Sequence, residues 1–386
     1  MCTHNWIDGK CSVCGTLKPS EGLEYTLVNG NYEVSGIGTC KDTNIVIPDT
    51  YNGFPVTGIG DDAFEFCSAL TSIVIPNTVT VIGHRAFCFC DSLTSVIIGD
   101  SVTIIGNAAF TGCSSLTNVI IPDNVTTVGI NTFGGCTSLT SVTIPDSVTT
   151  LGLSAFGNCT SLTNVIIPDS VMSIGESAFN GCTSLTSIII PDSVTAIGES
   201  AFNGCTSLTS VVIPNSITYI GFRVFQNCTS LTSIIIPDDV TTISNYAFYG
   251  CTSLNSITIP DSVTTINDCA FYGCTSLTSM TIPESVTTIG VSAFRDCTSL
   301  TNINIPKGIK TIDSCAFCKC TSLTSIIIPY SVTSINNSAF HDCTSLISIV
   351  YEGIIGRWNH IFLGSWWNTN VPATEVICSD GTVSLK

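Results

Sequence analysis

Four residues near the start, Cys2, His4, Cys11 and Cys14, have the types and spacing of metal ligands. Cys11-Ser12-Val13-Cys14-Gly15 has the spacing of a zinc knuckle, and Cys2-Thr3-His4 would complete a tetrahedral Cys3His site. A segment this short cannot build a core, so a structural zinc or a disulfide would be the physical means of ordering it. With neither, residues 1–20 are a disordered leader. No second Cys-x-x-Cys follows, which sets the cluster apart from ordinary zinc modules, and no other cofactor is indicated.

Catalysis needs a convergent group of nucleophile, base and carboxylates. His84 and His341 are eleven repeats apart, about 50 Å at roughly 4.8 Å per stacked strand, and read as solvated surface residues. No Gly-x-Ser-x-Gly, His-Glu-x-x-His or phosphate-binding glycine loop is present, so the reading is of a non-enzymatic protein. Carboxylates recur at Asp123, Asp146, Asp169, Asp192, Asp238 and Asp261. One carboxylate per unit is sparse for calcium, which wants six or more oxygens around one point. The column reads instead as protection against edge-to-edge pairing.

The cysteines lead back to the elements that position all of these groups. Of 22 Cys, thirteen fall 23 residues apart, from Cys67 to Cys343. Each follows a Phe by three residues, from Phe64 to Phe340, and precedes a Leu by three, from Leu70 to Leu346. The unit reads A-F-x-x-C-x-S-L-T-S-I-x-I-P-D-S-V-T-x-I-G-x-S. So strict a period implies a stack of identical rungs, because a short unit can bury its apolar side chains only against its neighbours. Phe, Cys and Leu never vary and are taken as the interior, with the cysteines as buried thiols. In each rung Ile73 and Ile75 would point inward and Ser72 and Val74 outward. Pro76 would end that strand, Val79–Ile82 would form a shorter one, and Gly83 would lead into a single helical turn carrying Phe87.

The period divides the chain into residues 1–20, a Cys/His leader; 21–60, an N-terminal cap and imperfect first rung; 61–348, thirteen repeats; and 349–386, a C-terminal cap. In the first cap a hairpin is expected to turn at Asn29-Gly30. In the last, Trp358, Trp366 and Trp367 would cover the open end. With 11 basic and 28 acidic residues the formal charge is −17, a poor match for nucleic acid. No stretch reaches 18 apolar residues, so no membrane insertion is expected. Residues 1–20 lack the basic and apolar regions of a secretion signal, which leaves the compartment open.

Leu70-Thr71-Ser72-Ile73-Val74-Ile75-Pro76-Asn77-Thr78 follows the L-x-x-L-x-L-x-x-N pattern, and Ile105-Gly106-Asn107-Ala108-Ala109-Phe110-Thr111-Gly112-Cys113 carries a more specific phrase. Both resemble the BspA-like leucine-rich repeat family of bacterial and protist surface proteins. The resemblance implies a leucine-rich repeat solenoid of 23-residue rungs with parallel strands and short helical turns. It also implies an extracellular or cell-surface protein that binds host or neighbouring-cell surface or matrix proteins. The asparagine column is replaced by Thr78, Ser101, Ser147 and their equivalents, whose hydroxyls would have to satisfy the corner amides. The outward strand face, Ser141, Asn164, Ile166, Ser187, Ile189, Ser210, Val212, Ser233 and Ile235, is the candidate ligand surface. Self-association along that face, or a spacer role with no ligand of its own, is the alternative.

Overall fold

A strand of three residues cannot persist alone, and here each is held by its counterpart one repeat away. A computed structural model of the chain describes residues 6–7, 10–14 and 16–385. It comprises two compact units, Met1–Cys182 and Thr183–Lys386, each a stack of parallel rungs.

In the first unit, Asn44–Val46, Ser72–Val74 and Ser95–Ile97 pair in parallel. So do Asn118–Ile120, Ser141–Thr143 and Asn164–Ile166. Register advances by one repeat per strand, so like residues lie beside like: Val119 pairs with Val142, and Val142 with Val165. A second wall of two-residue strands follows the same rule, with Thr127 beside Thr150 and Thr150 beside Ser173. The corner between the walls is a turn in which the Val125 amide donates to Pro122 O at 3.0 Å. Where Gly99 replaces the proline, Val102 N still donates to Gly99 O at 3.1 Å. The reversal, rather than the proline ring, is what the corner requires.

The third wall is not helical. In the rung of Phe87, Arg85 and Phe89 have φ of 52° and 57°, and two left-handed residues four apart interrupt any α-helical run. Their amides instead run a ladder to the next rung: Arg85, Phe87 and Phe89 N donate to Asn107, Ala109 and Thr111 O at 3.0, 2.8 and 2.7 Å. The same pair of left-handed positions recurs around Phe156 at Ser154 and Asn158, and around Phe248 at Tyr246 and Gly250. The expected helical turn is therefore a third hydrogen-bonded wall.

Behind these walls the Phe column stacks nearly parallel. Centroids of Phe87 and Phe110 lie 5.1 Å apart, and those of Phe110 and Phe133 5.5 Å. The column thiols from Cys90 to Cys182 and from Cys228 to Cys343 donate to a Phe carbonyl of the preceding rung, Cys113 Sγ to Phe87 O at 3.1 Å for example. Each such sulfur fills space and adds a second donor to a carbonyl that already accepts within its own rung, as Phe87 O does from Cys90 N at 3.2 Å. The serines behave alike: Ser147 Oγ donates to Val125 O at 2.6 Å and Ser170 Oγ to Val148 O at 2.7 Å. These hydroxyls serve carbonyls and not the corner amides expected of them, because the turn already occupies the amides.

In the second unit, Ser187–Ile189 pairs with Ser210–Val212, and Ser233–Ile235 with Ser256–Thr258. Phe248 stacks on Phe225 and Phe271 at 5.7 and 5.4 Å. The last Phe of the column, Phe340, meets Trp367 edge-on at 6.3 Å, and Trp358 packs on Trp367 and Tyr351. Trp358 and Trp367 are buried, whereas Trp366 is exposed.

Both ends depart from the 23-residue step. At the start, Asn44 pairs with Ser72, 28 residues on, and the extra length is a hairpin turning at Asn52-Gly53. A second hairpin pairs Glu24–Val28 with Asn31–Gly36, turning at Asn29 and Gly30, both left-handed. At the other end Ser334 pairs with Phe362, again 28 residues on, and the insertion is the helix Ile355–Trp358.

Candidate functional site

The outward strand face is built by alternation. In the first unit Val119, Val142 and Val165 fill the interior, so their neighbours must face solvent. One outward row is Ser95, Asn118, Ser141 and Asn164. The other is Ile97, Ile120, Thr143 and Ile166, in which the three isoleucines are 61%, 70% and 74% exposed. In the second unit Ser187, Ser210 and Ser233 lie on the polar row. Ile189, Val212 and Ile235 lie on the apolar one, 71%, 57% and 76% exposed. Thr258 then interrupts it.

What surrounds these rows limits what they can do. Beside the polar row of the first unit, threonine hydroxyls are engaged one rung back, as Thr140 Oγ1 is with Thr117 O at 3.1 Å. Beyond the apolar row of each unit the strands end in exposed carboxylates, Asp123, Asp146 and Asp169 in one and Asp192, Asp238 and Asp261 in the other. Each face therefore offers methyl groups and small hydroxyls or amides with an acidic rim. Such a surface can bury apolar area against a partner and pair its rim with basic groups.

The column thiols are poor reactive groups. Burial pushes Cys182, Cys251 and Cys297 up to about 12, with the hydrogen bond to the preceding rung opposing the shift. A thiol held protonated is not a nucleophile at neutral pH.

Of the four N-terminal ligand candidates, Cys2 and His4 lie outside the described residues. Cys11 is buried on the strand Lys10–Cys11, and its amide donates to Thr16 O at 2.8 Å. Cys14 is exposed with Sγ 2.8 Å from Thr16 Oγ1. Among the described residues no group of three or more His, Cys, Asp or Glu is placed to hold a metal. The other histidines are separate: Asp61 Oδ1 accepts from the His84 amide at 2.7 Å, and His341 Nδ1 lies 3.1 Å from Asp342.

One cluster in the second unit was not anticipated. On the turn wall Phe222, Tyr246, Tyr249 and Tyr272 form a run of ring contacts of 4.8 to 5.9 Å. Arg223 lies over Phe222 at 4.6 Å and Arg295 over Tyr272 at 5.6 Å. The signal was available, since these residues occupy the variable places on either side of the Phe column. It went unused because the wall was read as a helical turn.

Comparison with known proteins fits this geometry. The profile described as a BspA type leucine rich repeat region, of six copies, matches residues 38–163, 127–255 and 241–362. The chain belongs to the BspA-type leucine-rich repeat family. A leucine rich cell surface protein from Faecalibacterium prausnitzii is 35% identical over 89% of this chain and 96% of its own, with a TM-score of 0.61. A leucine-rich repeat protein from Bacteroides ovatus is 31% identical over 93% of this chain and 98% of its own, with a TM-score of 0.75. The pneumococcal vaccine antigen PcpA shares the fold at 17% identity, with a TM-score of 0.58 over 94% of this chain and 98% of its own. No curated protein matches the chain. Among the described residues no helix is long and apolar enough to cross a membrane.

Proposed function

We propose that this BspA-type protein is an extracellular or cell-surface module that binds proteins, an adhesin without catalytic chemistry. The observation that carries this reading is the exposed apolar row of each unit: Ile97, Ile120 and Ile166, interrupted at Thr143, in the first and Ile189, Val212 and Ile235 on successive strands of the second, all more than half exposed with nothing from the same unit covering them. Scattered surface isoleucines need no explanation, but a row repeated rung after rung is a surface awaiting a partner. The F. prausnitzii relative, described as a cell surface protein, supports the placement.

Because successive rungs present nearly the same pair of side chains, each contact is weak and similar. Affinity then comes from engaging several at once. The fitting partners are surface or matrix proteins of a host or neighbouring cell, with apolar segments flanked by Lys or Arg to meet the acidic rim. A screen of the purified chain against matrix proteins, mucins and glycans tests the reading. It expects salt-sensitive binding to a protein on that panel, and binding to glycans alone would contradict it.

A further inference from the structure

Hollows also occur along the regular rungs, such as one of about 430 Å3 edged by Asp238 and Asp261, but the one built by the inserted helix near the C-terminus has no carboxylate in its lining. In the second unit a cavity of about 430 Å3 lies where Ile355–Trp358 and the residues after it overhang the corners before strands Thr311–Ile312 and Ser334–Ile335. Its volume is in the range of sites for small molecules.

The charge of this cavity is opposite to that of the chain. Lys310, Arg357 and His360 line it, and no carboxylate does, although the chain carries 28 acidic residues against 11 basic ones. Elsewhere Lys18 pairs with Glu21, Arg85 with Asp62 and Glu65, and Arg295 with Asp296. Among the described residues neither Lys310 nor Arg357 has an ion-pair partner. Asp380, from the adjacent hairpin, is occupied by the Ile355 amide at 2.7 Å.

The remaining walls specify more than charge. Ser331 Oγ donates to Ile309 O at 2.8 Å and Thr333 Oγ1 to Lys310 O at 3.2 Å. With their protons placed, both hydroxyls can only accept from a ligand. His360 Nδ1 lies 2.7 Å from Gly356 O. A carbonyl can only accept, so Nδ1 carries a proton and Nε2 is the ring nitrogen left for a ligand. Tyr330, about half exposed, supplies an aromatic face. The combination calls for a ring that donates several hydrogen bonds, lays C–H groups on an aromatic face and carries one negative charge.

We infer that this cavity is a binding site for an anionic sugar, a pyranose bearing a carboxylate or sulfate, held by Arg357 and Lys310 with its hydroxyls donating to Ser331 and Thr333 and hydrogen bonding to His360. The site is distinct from the strand faces and would let one protein engage glycan and polypeptide separately.

Calorimetric titration of the full chain with glucuronate, glucose 6-sulfate, glucose and benzoate tests it. At least one anionic sugar should bind, glucose should bind at least about tenfold more weakly, and Arg357→Gln should weaken the anionic sugar by about tenfold or more. The two anionic sugars tell which charged group the site takes. Equal binding of glucose would remove the role of charge, and equal binding of benzoate the role of the hydroxyls. Full affinity in an Arg357→Gln, Lys310→Gln double variant with an unchanged melting temperature, or binding by neither anionic sugar, would overturn the site.

Discussion

At the scale of single residues, the column cysteines combine three properties that follow from one position. They are small enough to share the interior with stacked Phe rings, they give a second donor to a buried carbonyl that already accepts from a Cys amide of its own rung, and burial holds them protonated. Cys251, for example, donates to Phe225 O at 3.1 Å and is pushed from 9.0 to about 12. A folded-state value above the unfolded one gives stability that is full below the unfolded value and lost as pH rises through the folded value. The melting temperature should therefore hold to about pH 9 and fall toward pH 12, and less steeply in Cys251→Ala. A curve flat to pH 11 would contradict the burial of the column. Thr132 is the converse case. It stands where most rungs have Ala and one has Val224, it is fully buried, and its hydroxyl has no hydrogen-bond partner. Thr132→Val should raise stability by about 1 kcal/mol in chemical denaturation, since it removes a desolvated polar group and keeps the shape.

At the scale of the rung, two of three walls were legible. The strand pattern, the proline corner and the Phe, Cys and Leu interior follow from strict periodicity, which reports burial directly when thirteen copies agree. The third wall was not, because its left-handed backbone has only half a signature. After the Phe, the left-handed position often holds Gly or Asn, as at Gly112, Asn158 and Gly250. Before it, the position holds Arg85, Ser154 or Tyr246, none of which signals positive φ. Those residues are held there by the ladder to the next rung, a tertiary effect. The serine column was misassigned for a related reason, since which group a hydroxyl serves depends on what the turn leaves unpaired. Rung packing itself is open to test: Phe248→Ala, between two stacked rings, should cost about 3–5 kcal/mol in denaturant unfolding. A loss below about 1 kcal/mol would mean that the ring column is not the interior that holds rungs together.

At the scale of the whole molecule, the solenoid separates stability from recognition. Every rung stabilises its neighbours through the same interior, which leaves outward positions free to vary. Yet on the strand faces they vary little, and the variety sits on the turn wall and at the ends. The candidate strand face was legible because it obeys the period. The basic cavity was not, because it depends on a five-residue insertion and on which charges lack partners, neither of which a repeat pattern conveys. Binding on the strand face is the central claim, and the most direct measurement compares three proteins on the best partner from the screen. These are the native chain, a variant carrying Ile166→Asp, Ile189→Asp and Val212→Asp, and a control with three exposed turn-wall residues changed to Asp, all confirmed to melt alike. The account predicts that the strand-face variant loses at least about a hundredfold in affinity, as expected when apolar contact is replaced by unpaired charge, while the control binds as the native chain does. Equal affinity of all three would show that the exposed isoleucine rows are not where this protein meets its partner.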